Sequence, residues 1–224
     1  MNLFDILGPV MVGPSSSHTA GAVRIGLVAR ALLGQAPEEA QLLLHGSFAS
    51  TGKGHGTYQA LVAGLLGLTP DDARVPNSFA LAQEQGLRFS FDTCQLRDAH
   101  PNSVLLHLRG REGRKLEVGA SSVGGGRIRV FLLDGLPASF DGELPTLVVH
   151  NTDQPGCVSQ VTGVLARQGI NVAALQLNRG GRGGSAVMVL ECDQPLPPSA
   201  AEEILTLPGI LHVSVYTPDK EACL

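Results

Sequence analysis

Three short regions gather most of the residue types that can do chemistry. In GPSSSHTAGAVRIG, residues 13–26, Ser15, Ser16, Ser17 and Thr19 surround His18 just ahead of an apolar helical repeat. A single hydroxyl, Ser17 or Thr19, would suffice to cap that helix by accepting a bond from a free backbone N–H. The surplus hydroxyls, an imidazole that titrates near neutral pH and the positive end of a helix dipole also suit a small carboxylate. The residues alone leave both readings open. STGKGHG, residues 50–56, invites comparison with the phosphate-loop pattern G-x-x-x-x-G-K-[ST]. It departs twice, because five residues separate Gly46 from Gly52 and because Gly54 follows Lys53 where a hydroxyl residue is required. What remains is Thr51, Lys53 and His55 around Gly52 and Gly54 at a helix start, a setting for a carboxylate or a phosphate, or simply a glycine turn with a solvated lysine.

The third region pairs RDAHPNS, residues 97–103, with SSVGGG, residues 121–126. Asn102 after Pro101 is ordinary turn chemistry, and Gly124, Gly125 and Gly126 fit a bulge or hairpin. For His100 alone, structural burial is the better explanation. Together, however, His18, His55 and His100 fall on separate loops, each beside Ser, Thr, Asn or Gly, and the chain carries no cofactor fingerprint of its own.

Composition narrows the function classes. The chain has 224 residues, 43% of them hydrophobic, enough for one large core or two modest ones. Its apolar runs are broken well short of a membrane span, and the amino terminus lacks a basic, secretory-type n-region, so a cytoplasmic protein is expected. With 16 basic against 20 acidic residues and a net charge of -4, it offers little to a nucleic-acid backbone. Cys94, Cys157, Cys192 and Cys223 lie too far apart for a CxxC metal pair or a small disulfide scaffold, and they are expected as reduced thiols. No metal site is expected within this chain.

The elements that must position these loops form two domains, expected at residues 1–140 and 145–218, with DGLPASFDGELP, 134–145, as the linker. Apolar spacing predicts helices over 19–33, 57–68 and 78–85 and strands over 42–45, 87–91, 104–108, 116–118 and 128–132. This is an α/β domain of α+β type with a sheet at least partly antiparallel, because several strand connections are too short for crossovers. Downstream, strands over 146–150, 170–177, 185–191 and 210–216 alternate with helices over 157–167 and 199–206 as βαββαβ, a ferredoxin-like arrangement.

The motifs GPSSSHTAGAVRIG, GSFASTGKGHGT, HPNS and SSVGGG, in this order, resemble the β chain, or β domain, of iron-sulfur-dependent L-serine dehydratases, over almost the whole chain. DQPG at 153–156, the helix to Arg167 and GINV at 169–172 resemble an ACT domain, an amino-acid-sensing module. The first domain also resembles the allosteric substrate-binding domain of some phosphoglycerate dehydrogenases. The first resemblance implies L-serine ammonia-lyase activity, which gives pyruvate and ammonia without pyridoxal phosphate. A [4Fe-4S] cluster would act as Lewis acid toward the substrate hydroxyl. A cluster needs three or four gathered thiolates, so it is expected on a partner α chain, with L-serine bound between the two.

The resemblance further implies substrate binding by Ser15, Ser16, Ser17 and Thr19, with His18 or His55 as the proton-transfer group. Thr51, Gly52, Lys53 and Gly54 are anion-binding candidates, and Asn102 with Gly124, Gly125 and Gly126 are pocket walls. In the ACT half, Asp153, Gly156 and Asn171 would hold an amino acid between two copies of the domain, or the domain would serve only to form a homodimer. A second class of function stays open beside the lyase: a noncatalytic, amino-acid-binding regulatory subunit.

Overall fold

In the computed structural model, which describes residues 10–218, contacts divide the chain into one unit ending at Asp134 and another over Gly135–Pro218. Among the described residues the first unit has five strands, Pro37–His45 (β1), Arg88–Thr93 (β2), Asn102–Gly110 (β3), Lys115–Gly124 (β4) and Arg127–Leu133 (β5). They lie in the order β2-β1-β3-β4-β5. The β1–β2 pair is parallel, and β1–β3, β3–β4 and β4–β5 are antiparallel. Along β1, Ala40, Leu42 and Leu44 are buried while Gln41 is exposed. That period of two puts one face of the sheet into the core.

Four helices accompany the sheet: Gly21–Leu33 (α1), led in by a π-helical turn at Ser16–Ala20, then Gly46–Thr51 (α2), Thr57–Leu66 (α3) and Ser78–Gln85 (α4). Helices α1 and α3 touch backbone to backbone. A Cβ added to Gly26 would fall 2.5 Å from the Leu61 carbonyl oxygen, and one added to Gly64 would fall 2.1 Å from that of Val23. Only glycine at both positions lets two apolar helices approach this closely.

The second unit opens with Leu136–Phe140 (β6). Composition marks this stretch as linker, but Ala138 and Phe140 alternate inward and are buried, and the proline is tolerated where a strand is not central to its sheet. Next come Thr146–Thr152 (β7), Cys157–Arg167 (α5), Val172–Arg179 (β8), Ser185–Cys192 (β9), Pro198–Leu205 (α6) and Ile210–Tyr216 (β10). The sheet order is β10-β7-β9-β8, antiparallel throughout. Leu147, Val149, Met188 and Leu190 from the sheet pack with Val161, Val164, Leu165 and Ile204 from the helices. This is the expected βαββαβ core. Among the described residues no helix is long and apolar enough to cross a membrane.

Candidate active site

Sheet topology brings the separate motifs to one end of the first unit. Strand β1 leaves the sheet at His45 straight into α2, β3 enters it at Asn102, and β4 leaves it at Gly124. Because β3 runs antiparallel to both neighbours, these three points lie side by side: His45 pairs with Ser103, and Ser103 with Ser121.

Side chains then close a circuit among the four loops. His18 Nε2 lies 3.2 Å from Ser47 Oγ and 3.1 Å from Thr51 Oγ1, joining the serine-rich turn to α2. Ser47 N–H donates to the Pro101 carbonyl at 2.8 Å, joining α2 to HPNS. Gly46 makes this approach feasible, since its φ is +57° and a Cβ there would sit 2.5 Å from the same oxygen. Ser103 and Ser121 hydroxyls meet at 2.8 Å, both buried, joining HPNS to SSVGGG. Gly21 finally seats the helix start on Ser122, whose hydroxyl occupies the place of a Cβ at 2.1 Å. Arg24 adds a bond from Nη1 to the Gly126 carbonyl at 3.3 Å.

His18 is the centre of this circuit. Ser15 Oγ accepts its backbone N–H at 3.2 Å, which makes Ser15 the N-cap, and lies 3.5 Å from Nδ1. Phe48 meets the imidazole edge-on with ring centroids 5.3 Å apart, and the His55 ring stands 5.1 Å away. Burial of the ring, then the neighbouring His55, hold His18 below the usual histidine range. Its ring is therefore predominantly neutral near pH 7 and able to accept a proton.

The other expected residues divide by exposure. Ser16 and Ser17 are half-buried on the π-helical turn, whereas Thr19 is buried, its hydroxyl pressed against Gly13. Lys53 and His55 are exposed. Gly52 is buried, and a Cβ there would lie 2.1 Å from the Phe48 carbonyl oxygen. Gly54 and His55 both spend their N–H on the Thr51 carbonyl, at 3.1 and 3.2 Å. For an anion this loop thus offers the Lys53 ammonium more than those two amides. Asn102 is half-buried, its N–H bound to Nδ1 of His100 at 3.1 Å; His100, expected to be buried, is exposed in the loop before β3. Gly124, Gly125 and Gly126 all have positive φ, as the β4–β5 turn demands. Ser47 and Phe48, absent from the sequence-based set, contact His18 directly.

In the second unit the expected residues bind their own neighbours. Asp153 accepts bonds from Gly183 N–H and Arg179 Nη1 at 3.0 and 2.8 Å, and these hold its carboxyl below the ordinary carboxylate range. Asn171 donates its Nδ2 to Asp193 at 2.6 Å and its N–H to Gln194 at 2.8 Å. Gly156, with φ +98°, is the N-cap of α5.

The cysteines do not suit a cluster. Cys157 and Cys192 are packed in the core of the second unit, and burial pushes the Cys192 thiol up to about 11. Burial also raises Cys94, which lies in the first unit. Among the described residues no three His, Cys, Asp or Glu side chains gather as for a metal ion; Cys223 lies outside the described residues.

The serine dehydratase beta chain family profile matches residues 2–86. A probable L-serine dehydratase beta chain of Bacillus subtilis is 39% identical over 95% of this chain and 96% of its own length. The chain belongs to the serine dehydratase beta chain family. The L-serine dehydratase beta chain of Peptoniphilus asaccharolyticus is 40% identical over 90% of this chain and 91% of its own. Beyond the family, D-3-phosphoglycerate dehydrogenase of Synechocystis is 26% identical over 84% of this chain and 34% of its own length. Residues 146–209 match the ACT domain profile, so the chain carries an ACT domain.

Proposed function

We propose that this chain is the β subunit of a cytoplasmic L-serine dehydratase and forms the substrate-holding half of an active site completed by an α chain. The observation that carries this reading is the closed circuit of contacts around His18 from four sequence-distant motifs. In the reaction a base removes the serine α-proton and hydroxide leaves the β-carbon, giving aminoacrylate. Its imine tautomer then takes up water and releases ammonia, leaving pyruvate.

This chain's part is binding and proton transfer. Ser16 and Ser17, at the positive end of a long helical segment, hold the substrate carboxylate together with the Lys53 ammonium. His18, neutral at working pH and with His55 beside it, takes the α-proton. The [4Fe-4S] cluster belongs to the α chain, because buried, raised thiols scattered over two units do not furnish the thiolate set. Asn102 and Gly124 to Gly126 wall the pocket. The ACT domain, with Gly156, Asp153 and Asn171 at its loops, binds an amino acid or pairs with a second copy.

Anaerobic reconstitution tests the proposal. The chain alone, and the α chain alone, should leave serine unchanged, and mixing should produce pyruvate. Full turnover in both His18→Ala and Lys53→Ala, with only the response to serine altered, would make the chain a regulatory subunit instead.

A further inference from the structure

The hydroxyls around His18 fix more than its position. Thr51 Oγ1 carries one proton and donates it to the Ser47 carbonyl at 2.9 Å, the i to i−4 bond of a helical threonine. Toward His18 Nε2, 3.1 Å away, Thr51 can then only accept. Ser47 Oγ lies 3.2 Å from both Nε2 and Thr51 Oγ1, so it too can accept from the ring while its own proton turns to Thr51 or outward. With a proton on Nε2, every one of these contacts is a donor meeting an acceptor.

With the proton on Nδ1, two lone pairs would face each other across the shortest ring contact, between Nε2 and Thr51. Ser47 could still turn its proton to Nε2, but the bond made by Nδ1–H, to Ser15 Oγ, would be the longest of the set at 3.5 Å, on an oxygen that already accepts the His18 N–H. The opposite arrangement uses the same atoms well: Ser15 accepts from the backbone and turns its own hydroxyl proton to Nδ1.

We infer that Thr51, with Ser47, is a positioning residue that keeps the proton of neutral His18 on Nε2 and its lone pair on Nδ1, making Nδ1 the nitrogen that accepts a proton. Thr51 thereby acts through the imidazole and not as a substrate ligand. Its spacing from Ser47, i to i+4 on α2, places both hydroxyls against one ring nitrogen. The consequence for catalysis rests on the function proposed above, whereas the tautomer does not.

The test is ¹⁵N-histidine NMR on the full chain, at a pH where His18 is neutral. Wild type should show the Nε2–H tautomer, and Thr51→Val should convert it to a mixture while Thr51→Ser restores it. Circular dichroism checks that the Val variant is folded, and Ser47→Ala gives a second, smaller displacement in the same direction. In the mixed enzyme Thr51→Val should lower kcat about tenfold, the worth of roughly one hydrogen bond, with KM little changed. An Nδ1–H tautomer in wild type overturns the inference, as does a tautomer unmoved by either variant, or a rise in KM with kcat intact. If the tautomer behaves as expected but no mixture turns over serine, the serine dehydratase reading fails and the positioning of His18 stands.

Discussion

The two units use the same polar residue types to different ends. In the second, Asp153 and Asn171 look from their motifs like ligand residues, yet their side-chain atoms bond to Arg179, Gly183 and Asp193 of their own unit. In the first, the hydroxyls cluster on one imidazole, and Thr19 Oγ1 and Ser122 Oγ are buried with no hydrogen-bond partner among the described residues. A polar group whose bonds are all made internally stabilises a loop. At these motifs the second unit's polar side chains hold its own loops, whereas those of the first gather on one imidazole, and that difference underlies the function proposed above.

Removing the imidazole should break the comparison most sharply. His18→Ala is expected to lower turnover of the reconstituted enzyme by roughly 10²- to 10⁴-fold, the usual worth of a positioned acid or base, without unfolding the chain. Pyruvate assay and circular dichroism together check both halves of that statement. Next in size is Gly64→Ala, whose new methyl group would meet the Val23 carbonyl at 2.1 Å. Thermal melting should show a loss of about 1–3 kcal/mol.

A smaller effect concerns proton affinity. His55 helps to lower the pKa of His18, so His55→Gln should raise it toward the ordinary value, followed by NMR titration. Because the folded-state pKa of His18 lies below its unfolded one, the neutral ring favours the folded state. That contribution is complete above pH of about 6.5 and is lost as pH falls through the folded value. The smallest change is expected in the second unit: Asp153→Asn should slightly lower its melting temperature at low salt and leave turnover untouched. The carboxylate's share of stability exists above its unfolded pKa and disappears as acid titrates the folded group.

Much of this was legible in the sequence, unevenly. The second unit's helices and strands repeat cleanly at their own periods, and Ile210–Tyr216 lies where the pattern puts it. In the first unit Ser78–Gln85 is equally plain, while β1 begins five residues earlier than its apolar run, at Pro37. There Glu39 reads as loop but is an ordered strand residue, paired with Arg88 and Arg109 on the adjacent strands. Helix α2 escaped the sequence altogether. GSFAST has weak helical propensity and only six residues. It forms because Phe48 is buried and the Ser47 N–H finds Pro101, far along the chain. Without that helix the Ser47–Thr51 spacing had no meaning, and so the residues that orient His18 could not be singled out, although His18 itself could.

The glycine contact between α1 and α3 has a bearing on how the site would move. Gly26 lies five residues into α1, which continues directly from the turn that carries His18, and Gly64 lies seven residues after the first residue of α3, with His55 two residues ahead of that helix. The two helices are riveted where no side chain can slip between them. A side chain at either glycine would therefore be felt at the helix start beside His18 and at the loop that carries His55.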